Sequence, residues 1–552
     1  MVAGEGPGAH NMDDYDAAVR SFRIHVPRYF NFARDVVGGW AHDPGKLAML
    51  WLGPGGAERR ITFLEFDERS DAFAEVLARE GVRPGDRVMV QLGRIPQWWE
   101  VLLGCLKVGA VAVPGTVLLT PKDIAYRTRL AEAVAYVTDA AGASRVDEVK
   151  AECPSLQRLF VVGEPREGWL SYEAETALSS GRPPEVATMS SDPALIYFTS
   201  GTVGNPKMVL HTHASYPLGH VITGRFWLDL RPDDLHFNLS ETGWAKAAWS
   251  SLFGPWSQGA AVFVHDAPGR FDAGQTLDVL ESYPITVFCA PPTAYRMLVL
   301  QDLGRHRNSL RHCVGAGEPL NPEAIESWRN AYGLTIRDGY GQTETVLLCG
   351  NFPPLEVRPG SMGKPSPAME VAIIDEEGEA VAPGGEGDIA LRVTPRRPVG
   401  LFKEYWRNPE ATRASARGGW YVTGDRARAD ADGYLWFVGR ADDVIISAGY
   451  RIGPFEVESA LVEHPAVAEA AVVGAVDALR GTLVKAYVIL APGHRPSDRL
   501  AWEIQEHVKR VTAAYKYPRE IEFVSELPKT ISGKIRRVEL RSRTRPGDPS
   551  SA

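Results

Sequence analysis

Cysteine is scarce in this chain and does not cluster: Cys105, Cys153, Cys289, Cys313 and Cys349 are the five in 552 residues, and no CxxC spacing occurs. An odd, scattered set argues against a disulfide framework or a thiolate metal site and suits a reducing compartment. A basic excess is missing as well. With 60 Lys and Arg against 69 Asp and Glu the net charge is −9, so no global positive field is available to hold nucleic acid or anionic lipid. Any phosphate must be held by local groups. Long apolar runs are absent: the most apolar stretch, 101–114, is broken by Gly104, Lys107 and Gly109 and is too short to span a bilayer. The first residues are polar and acidic (Asp13, Asp14, Asp16), without the apolar core of a secretory signal. Repeats and low-complexity segments are absent too. These absences lead to the expectation of a soluble, cytoplasmic protein with no nucleic-acid or membrane partner.

What is present is ordinary globular material, 44% hydrophobic and 23% charged, in a chain too long for one core. Thr62 and Glu65 read as a capping box ahead of the apolar positions Phe63, Phe66, Phe73 and Leu77, with Gly81 as the stop. A strand over 86–92 follows. A helix over 98–107 leads into a strand at 110–113, and a helix over 121–133 into a strand at 134–137. Helix and strand in regular succession predict a layered α/β domain with largely parallel strands. After about residue 360 the texture changes. Turn signals at Gly384-Gly385-Glu386-Gly387 and Ala431-Asp432-Gly433 separate short strands. A compact α+β unit then begins at 442, with Pro454 in a first helical turn, Val457, Ala460 and Leu461 on one face, and strands at 470–473 and 484–490. The predicted organisation is a large N-terminal lobe, 1–441, of layered α/β subdomains with a small β-rich subdomain over about 360–441. A C-terminal α+β lobe, 442–552, follows it.

Four segments carry chemistry. The run 197–207, Tyr-Phe-Thr-Ser-Gly-Thr-Val-Gly-Asn-Pro-Lys, alternates glycines and hydroxyls after an apolar strand at 194–198 and closes on a lysine. Such a loop brings backbone N–H groups, hydroxyls and one ammonium to a polyphosphate without steric clash. It is not a Walker P-loop, because Pro206 precedes the lysine and Met208 follows it. In the run 338–344, Asp-Gly-Tyr-Gly-Gln-Thr-Glu, a carboxylate follows a hydroxyl on a glycine-rich turn, which suits a hard cation shared with water and phosphate. At 419–425 a glycine turn ends on Asp425, and Arg440 closes the run 433–440; both can bind sugar hydroxyls. At 527–537 Lys534 ends a polar, glycine-containing turn and can act as a point charge on a phosphate in flight. Taken singly, each segment also reads as an ordinary turn, and the last as a solvated basic tail.

These four segments, in this order, resemble the adenylate-forming superfamily of acyl-CoA synthetases, luciferases and adenylation domains over nearly the whole chain. Thr242-Gly243-Trp244, Gly315-Ala316-Gly317-Glu318-Pro319 and Tyr515-Lys516-Tyr517-Pro518-Arg519 are most similar to its acetyl- to medium-chain acyl-CoA synthetase branch. The resemblance implies ATP, Mg2+ and coenzyme A as substrates and cofactor. It implies a phosphate loop of Thr199, Ser200, Gly201, Thr202, Gly204 and Lys207. Gly317, Glu318 and Pro319 with Tyr340 would sandwich adenine, and Asp338 would meet its amino group. Thr343 would contact the α-phosphate, Glu344 hold magnesium, Asp425 and Arg440 bind ribose, and Arg451 contact phosphate. Lys534 would be the catalytic lysine of adenylation. Asp442 would be the hinge of a mobile C-terminal lobe whose rotation withdraws Lys534 and brings Gly449 and Tyr450 to a pantetheine tunnel. The loop departs from the family at Val203, where Ser or Thr is usual, which removes one potential phosphate hydrogen bond.

For the acyl pocket the resemblance nominates Trp244, Ala245, Lys246, Trp249 and Gly341. Acetate-activating relatives carry a capping tryptophan where this chain has Gly341, so a longer or bulkier acyl group is expected, unless Trp249 refills the space. Lys246 either snorkels to solvent or meets the tunnel or a polar substrate group. Short-branched to medium-chain or small aromatic monocarboxylates are favoured over acetate. The HxH pair His211 and His213 has no third ligand in view and is read as structural. Two other readings stay open: a stand-alone enzyme loading a separate carrier protein, and a nucleotide-binding pseudoenzyme. The expected assembly is a monomer or homodimer.

Overall fold

The computed structural model describes residues 10–199, 206–267, 269, 271–318, 320, 322–447, 450–477, 481–513, 515–529 and 535–544. The early helices form where the sequence places them. Thr62 caps Phe63–Arg79 through a complete capping box with Glu65, and the apolar stripe of that helix packs on the following helix, Gln97–Lys107. The two cross at Gly104, where a Cβ would lie 3.0 Å from Phe73 and 3.3 Å from the Ser70 carbonyl oxygen. Lys107 is buried at the same crossing, its Nζ 2.7 Å from Asp67 and 2.8 Å from Asp71; a cation this deep is tolerated only when paired.

Among the described residues the strands build two large sheets and three smaller ones. One large sheet is parallel through Arg87–Gln91, Val111–Pro114, Ala135–Asp139 and Arg158–Val162, and it ends in the antiparallel pair Pro193–Thr199 and Lys207–Thr212. The other is parallel through Leu235–Asn238, Val287–Ala290, His312–Ala316 and Ile336–Gly341. A mixed α/β layering with mostly parallel strands is therefore present, as the alternating pattern implies. Its consequence for function is positional. Neighbouring parallel strands end side by side, so 316–318 and 340–341 emerge together at the carboxyl edge of one sheet, where open α/β sheets bind ligands.

A five-stranded antiparallel sheet (Val371–Ile374, Glu386–Arg392, Ala416–Arg417, Trp420–Ala429, Leu435–Arg440) is the β-rich region. Beyond it a distinct C-terminal subdomain contains the sheet of Val467–Asp477, Gly481–Leu490 and Glu520–Phe523. Its strands alternate beyond a register shift at Val467–Glu469. Val472, Val484, Ala486 and Val488 face helices Pro454–Val462 and Asp498–Val511, while Ala471, Val473 and Tyr487 face Leu540 of helix Arg537–Ser542. No helix among the described residues is long and apolar enough to cross a membrane.

Candidate active site

The site is assembled where both large sheets meet the β-rich region. Strand Pro193–Thr199 runs up to the glycine-hydroxyl loop, and Lys207 begins the return strand opposite Thr199. Residues 200–205, with Ser200, Gly201, Thr202, Val203 and Gly204 among them, lie outside the described residues, as do Pro319, Gly449 and Lys534. At the base of the loop the Lys207 ammonium sits 4.8 Å from the ring centroid of Tyr405. The Tyr405 hydroxyl donates to Glu344 Oε1 at 2.9 Å. The loop lysine and the nominated metal carboxylate are thus joined through one tyrosine, carried on a short strand paired with Lys207–Thr212. Burial raises the Glu344 carboxyl above its ordinary range, and the Tyr405 hydrogen bond opposes that rise.

The second cluster gathers around Asp425. Its Oδ2 accepts from the Tyr340 hydroxyl at 2.6 Å and from Gln342 Nε2 at 2.6 Å, and Arg440 lies 3.3 Å from Oδ1. Asp425 and Arg440 are direct partners in an antiparallel ladder. The two residues nominated for ribose are therefore adjacent, and Asp425 holds the hydroxyl of the ring nominated for adenine. Gln342 also donates to the Thr423 carbonyl at 2.9 Å, tying the glycine-rich run to the β-rich sheet. Asp338 is buried beneath this cluster. It accepts from its neighbour's Gly339 N–H at 2.9 Å, and burial pushes its carboxyl up to about 7 despite the opposing charge of Lys246. Gly317 has φ 111°, a left-handed conformation that favours glycine. The adjoining Glu318 accepts from Thr293 at 3.2 Å and pairs with Arg296 at 3.4 Å. Arg451 and Tyr450 lie on the strand Tyr450–Ile452, opposite Ile446 and Ser447. Asp442 follows the ladder strand, and its carbonyl accepts from Arg541 at 3.0 Å.

Thr343 is held by a residue the sequence reading set aside. His211 Nε2 donates to the Thr343 carbonyl at 2.7 Å while Nδ1 stands 3.0 Å from the Ser215 hydroxyl. Burial pushes the imidazole down to about 4, so it is neutral, with its proton on Nε2. Tyr405, Gln342 and His211 were not nominated from sequence. Each acts by holding a nominated residue; Gln342 lies inside the 338–344 run, His211 showed only its HxH spacing, and Tyr405 belongs to no motif.

The acyl nominees lie on one helical stretch. Trp244 precedes Ala245–Ala248, and Trp249 opens a π-helical turn, Trp249–Phe253. Lys246 does not snorkel: its Nζ donates to the Ala316 carbonyl at 2.9 Å, directly before Gly317. Trp249 is half-buried between Trp227 and His220, with ring centroids 6.0 Å from each. Gly341 behaves differently from its reading as a missing cap. A Cβ there would lie 2.4 Å from the Val346 carbonyl oxygen, so packing against the backbone itself requires glycine. Val346 in turn fills space left by Gly219 and Gly400, whose Cβ positions would fall 2.8 and 2.6 Å from its methyl groups.

The described residues contain no cluster of three His, Cys, Asp or Glu able to hold a metal. A lone, partly buried carboxylate suits a hard cation that completes its shell with phosphate and water. The fit rests on Glu344.

Comparison with known proteins gives the family. A model of AMP-binding enzymes matches residues 39–406, and a model of the AMP-binding enzyme C-terminal domain matches 456–534. The chain is 51% identical over 544 residues to "Acyl-coenzyme A synthetase ACSM3, mitochondrial" of Mus musculus, covering 97% of this chain and 94% of the relative. It is 49% identical over 536 residues to "Acyl-coenzyme A synthetase ACSM5, mitochondrial" of Homo sapiens, covering 95% and 92%. Among solved structures, the anthranilate CoA ligase AuaEII in complex with anthranoyl-AMP superposes with a TM-score of 0.87 at 34% identity, covering 94% of this chain and 98% of that one. The expectation of a cytoplasmic protein is corrected by these relatives, which are named as mitochondrial. Its basis, the lack of an apolar secretory core, does not bear on amphipathic organelle-import segments. The two matched models and the near-complete alignment establish that this chain belongs to the AMP-binding, adenylate-forming enzymes, in their acyl-CoA synthetase branch.

Proposed function

We propose that this chain joins a monocarboxylic acid to coenzyme A at the expense of ATP, releasing AMP and pyrophosphate. The observation that carries the reading is the meeting of Lys207, Tyr405 and Glu344 with Tyr340, Asp425 and Arg440 where the two large sheets join the β-rich sheet. In the first half-reaction a carboxylate oxygen attacks the α-phosphorus, and pyrophosphate leaves. Two anions meet, so their charge must be neutralised. Lys207 and Lys534 supply cations, Thr343 is oriented towards the α-phosphate by His211, and Asp425 with Arg440 holds the ribose. Magnesium bound at Glu344 would neutralise phosphate charge. In the second half-reaction the coenzyme A sulfur attacks the acyl carbonyl, and AMP leaves with the oxygen that bridged it to the acyl group. Asp442 serves as the hinge that exchanges Lys534 for the Gly449–Tyr450 loop between the two steps.

Short-branched to medium-chain or small aromatic acids are the proposed substrates. Lys246 is turned towards Ala316 and Trp249 stands half-buried, so Trp244, Ala245 and Trp249 offer an apolar wall. The test is pyrophosphate release with Mg-ATP over acetate, isobutyrate, hexanoate, octanoate and benzoate, each with and without coenzyme A. Turnover on branched, medium-length or aromatic acids that requires coenzyme A supports the proposal; a best rate on acetate overturns the acyl assignment, and no turnover on any acid overturns the whole.

A further inference from the structure

Gly453 has φ −73° and ψ 124°, a backbone conformation open to any residue. What excludes a side chain is a neighbour: a Cβ would lie 2.1 Å from the Val438 carbonyl oxygen and 3.2 Å from Val438 Cγ1. Val438 belongs to the ladder strand Leu435–Arg440 of the β-rich sheet, whereas Gly453 caps the first helix of the C-terminal unit, Pro454–Val462. The glycine is therefore demanded by a contact between two parts of the molecule and not by its own turn. The same seam continues on both sides. A Cβ on Gly439 would stand 3.4 Å from Pro454 Cδ. Phe455 meets Phe437 edge-on, with centroids 6.5 Å apart and planes at 70°. Phe437 lies 6.5 Å from Tyr340, the ring whose hydroxyl binds Asp425. Within the unit, Arg537 Nη2 donates to both carboxylate oxygens of Glu458, at 2.8 and 2.7 Å.

We propose that Gly453 and Phe455 are positioning residues for the first half-reaction: they form a seam that seats the C-terminal unit on the nucleotide half of the site. The inference rests on the proposed function for its chemistry. The seam reaches Tyr340, the ring nominated for adenine, through Phe455 and Phe437, so the unit whose sequence carries Lys534 is seated against the nucleotide half. The second half-reaction needs the unit to leave this seat. Loosening the seam therefore penalises adenylation alone, whereas general damage to the unit penalises both steps.

The experiment measures the two steps separately in the full chain. Gly453→Val is expected to lower single-turnover pyrophosphate release at least tenfold, with thioester formation from supplied acyl-adenylate and coenzyme A held within twofold of the parent. Phe455→Ala, which removes bulk and adds none, is expected to show the same split more weakly; it guards against misfolding of the valine variant. Equal losses in both steps, or no loss in either, would overturn the proposal. Hydrogen exchange supplies a readout independent of turnover: peptides spanning 435–440 and 453–457 should lose protection together in Phe455→Ala. Unchanged protection contradicts the seam even if the parent turns over no acid.

Discussion

The proposed nucleotide half and the proposed acyl half of this site are built in different ways. The nucleotide half is polar and made of consecutive residues. Asp338, Tyr340, Gln342, Thr343 and Glu344 come from one strand end and its turn, and a single ladder pair, Asp425 with Arg440, receives them. The acyl half is a packing surface drawn from distant segments: Trp249 between Trp227 and His220, and Val346 among Gly219, Gly341 and Gly400. Recognition by hydrogen bonds needs fixed donors at fixed spacing, and that leaves a motif. Recognition by shape depends on which volumes meet across the fold, and that leaves none.

The strongest way to sharpen this contrast is Lys534→Ala, which should lower adenylation by about 10²–10³-fold, the range for losing one preorganised charge, and leave the thiol step from supplied adenylate intact. Single-turnover assays of each step check it. Asp425→Ala comes next. It strips a shared partner from Tyr340, Gln342 and Arg440, and at about 1.5–3 kcal/mol for hydrogen bonds to a charged group the KM for ATP should rise roughly 10- to 100-fold, with little change in the KM for the acid. A pH effect follows. Asp338 is pushed up to about 7, so it is an ionised acceptor above that pH and a protonated one below. Adenosine, which has no phosphate to titrate, should bind about tenfold more weakly at pH 6 than at pH 8, and Asp338→Asn should flatten the profile.

The acyl half should respond in stability and selectivity. Gly341→Ala is expected to cost about 1–3 kcal/mol through overpacking against Val346, seen as a lower melting temperature and not as a narrower range of acids. A clean loss of large acids at unchanged stability would mean the position does line the pocket. The smallest expected effect is also the one that could break the comparison. Lys246→Met should change ATP affinity by no more than about twofold at pH 8, yet its ammonium lowers Asp338. Its loss should therefore move the midpoint for adenosine binding to higher pH, so that one acyl-wall residue reports on the nucleotide half.

Much of the architecture was legible beforehand, for identifiable reasons. The Thr62–Glu65 box, the Pro454 helix start and the apolar strand at 470–473 are local signals, and they appear as read. Of the nominated nucleotide residues that are described, Tyr340, Asp425 and Arg440 lie together through the Asp425–Arg440 ladder pair and the Tyr340 hydroxyl. Lys246 was left between snorkelling and the tunnel, since only tertiary structure shows that Ala316 offers it a carbonyl. Gly341 read as a gap because sequence records what is missing from a side chain and not what backbone stands against it. Tyr405 gave no signal; it reaches Glu344 only because its strand pairs with Lys207–Thr212.

The most direct test of the whole account follows an oxygen atom. With the acid labelled by 18O in its carboxylate, attack on the α-phosphorus and later expulsion of AMP should leave one labelled oxygen in AMP and none in pyrophosphate, with formation of the thioester matching AMP release. Label in inorganic phosphate or pyrophosphate, or AMP that carries none, would contradict activation through an acyl-adenylate.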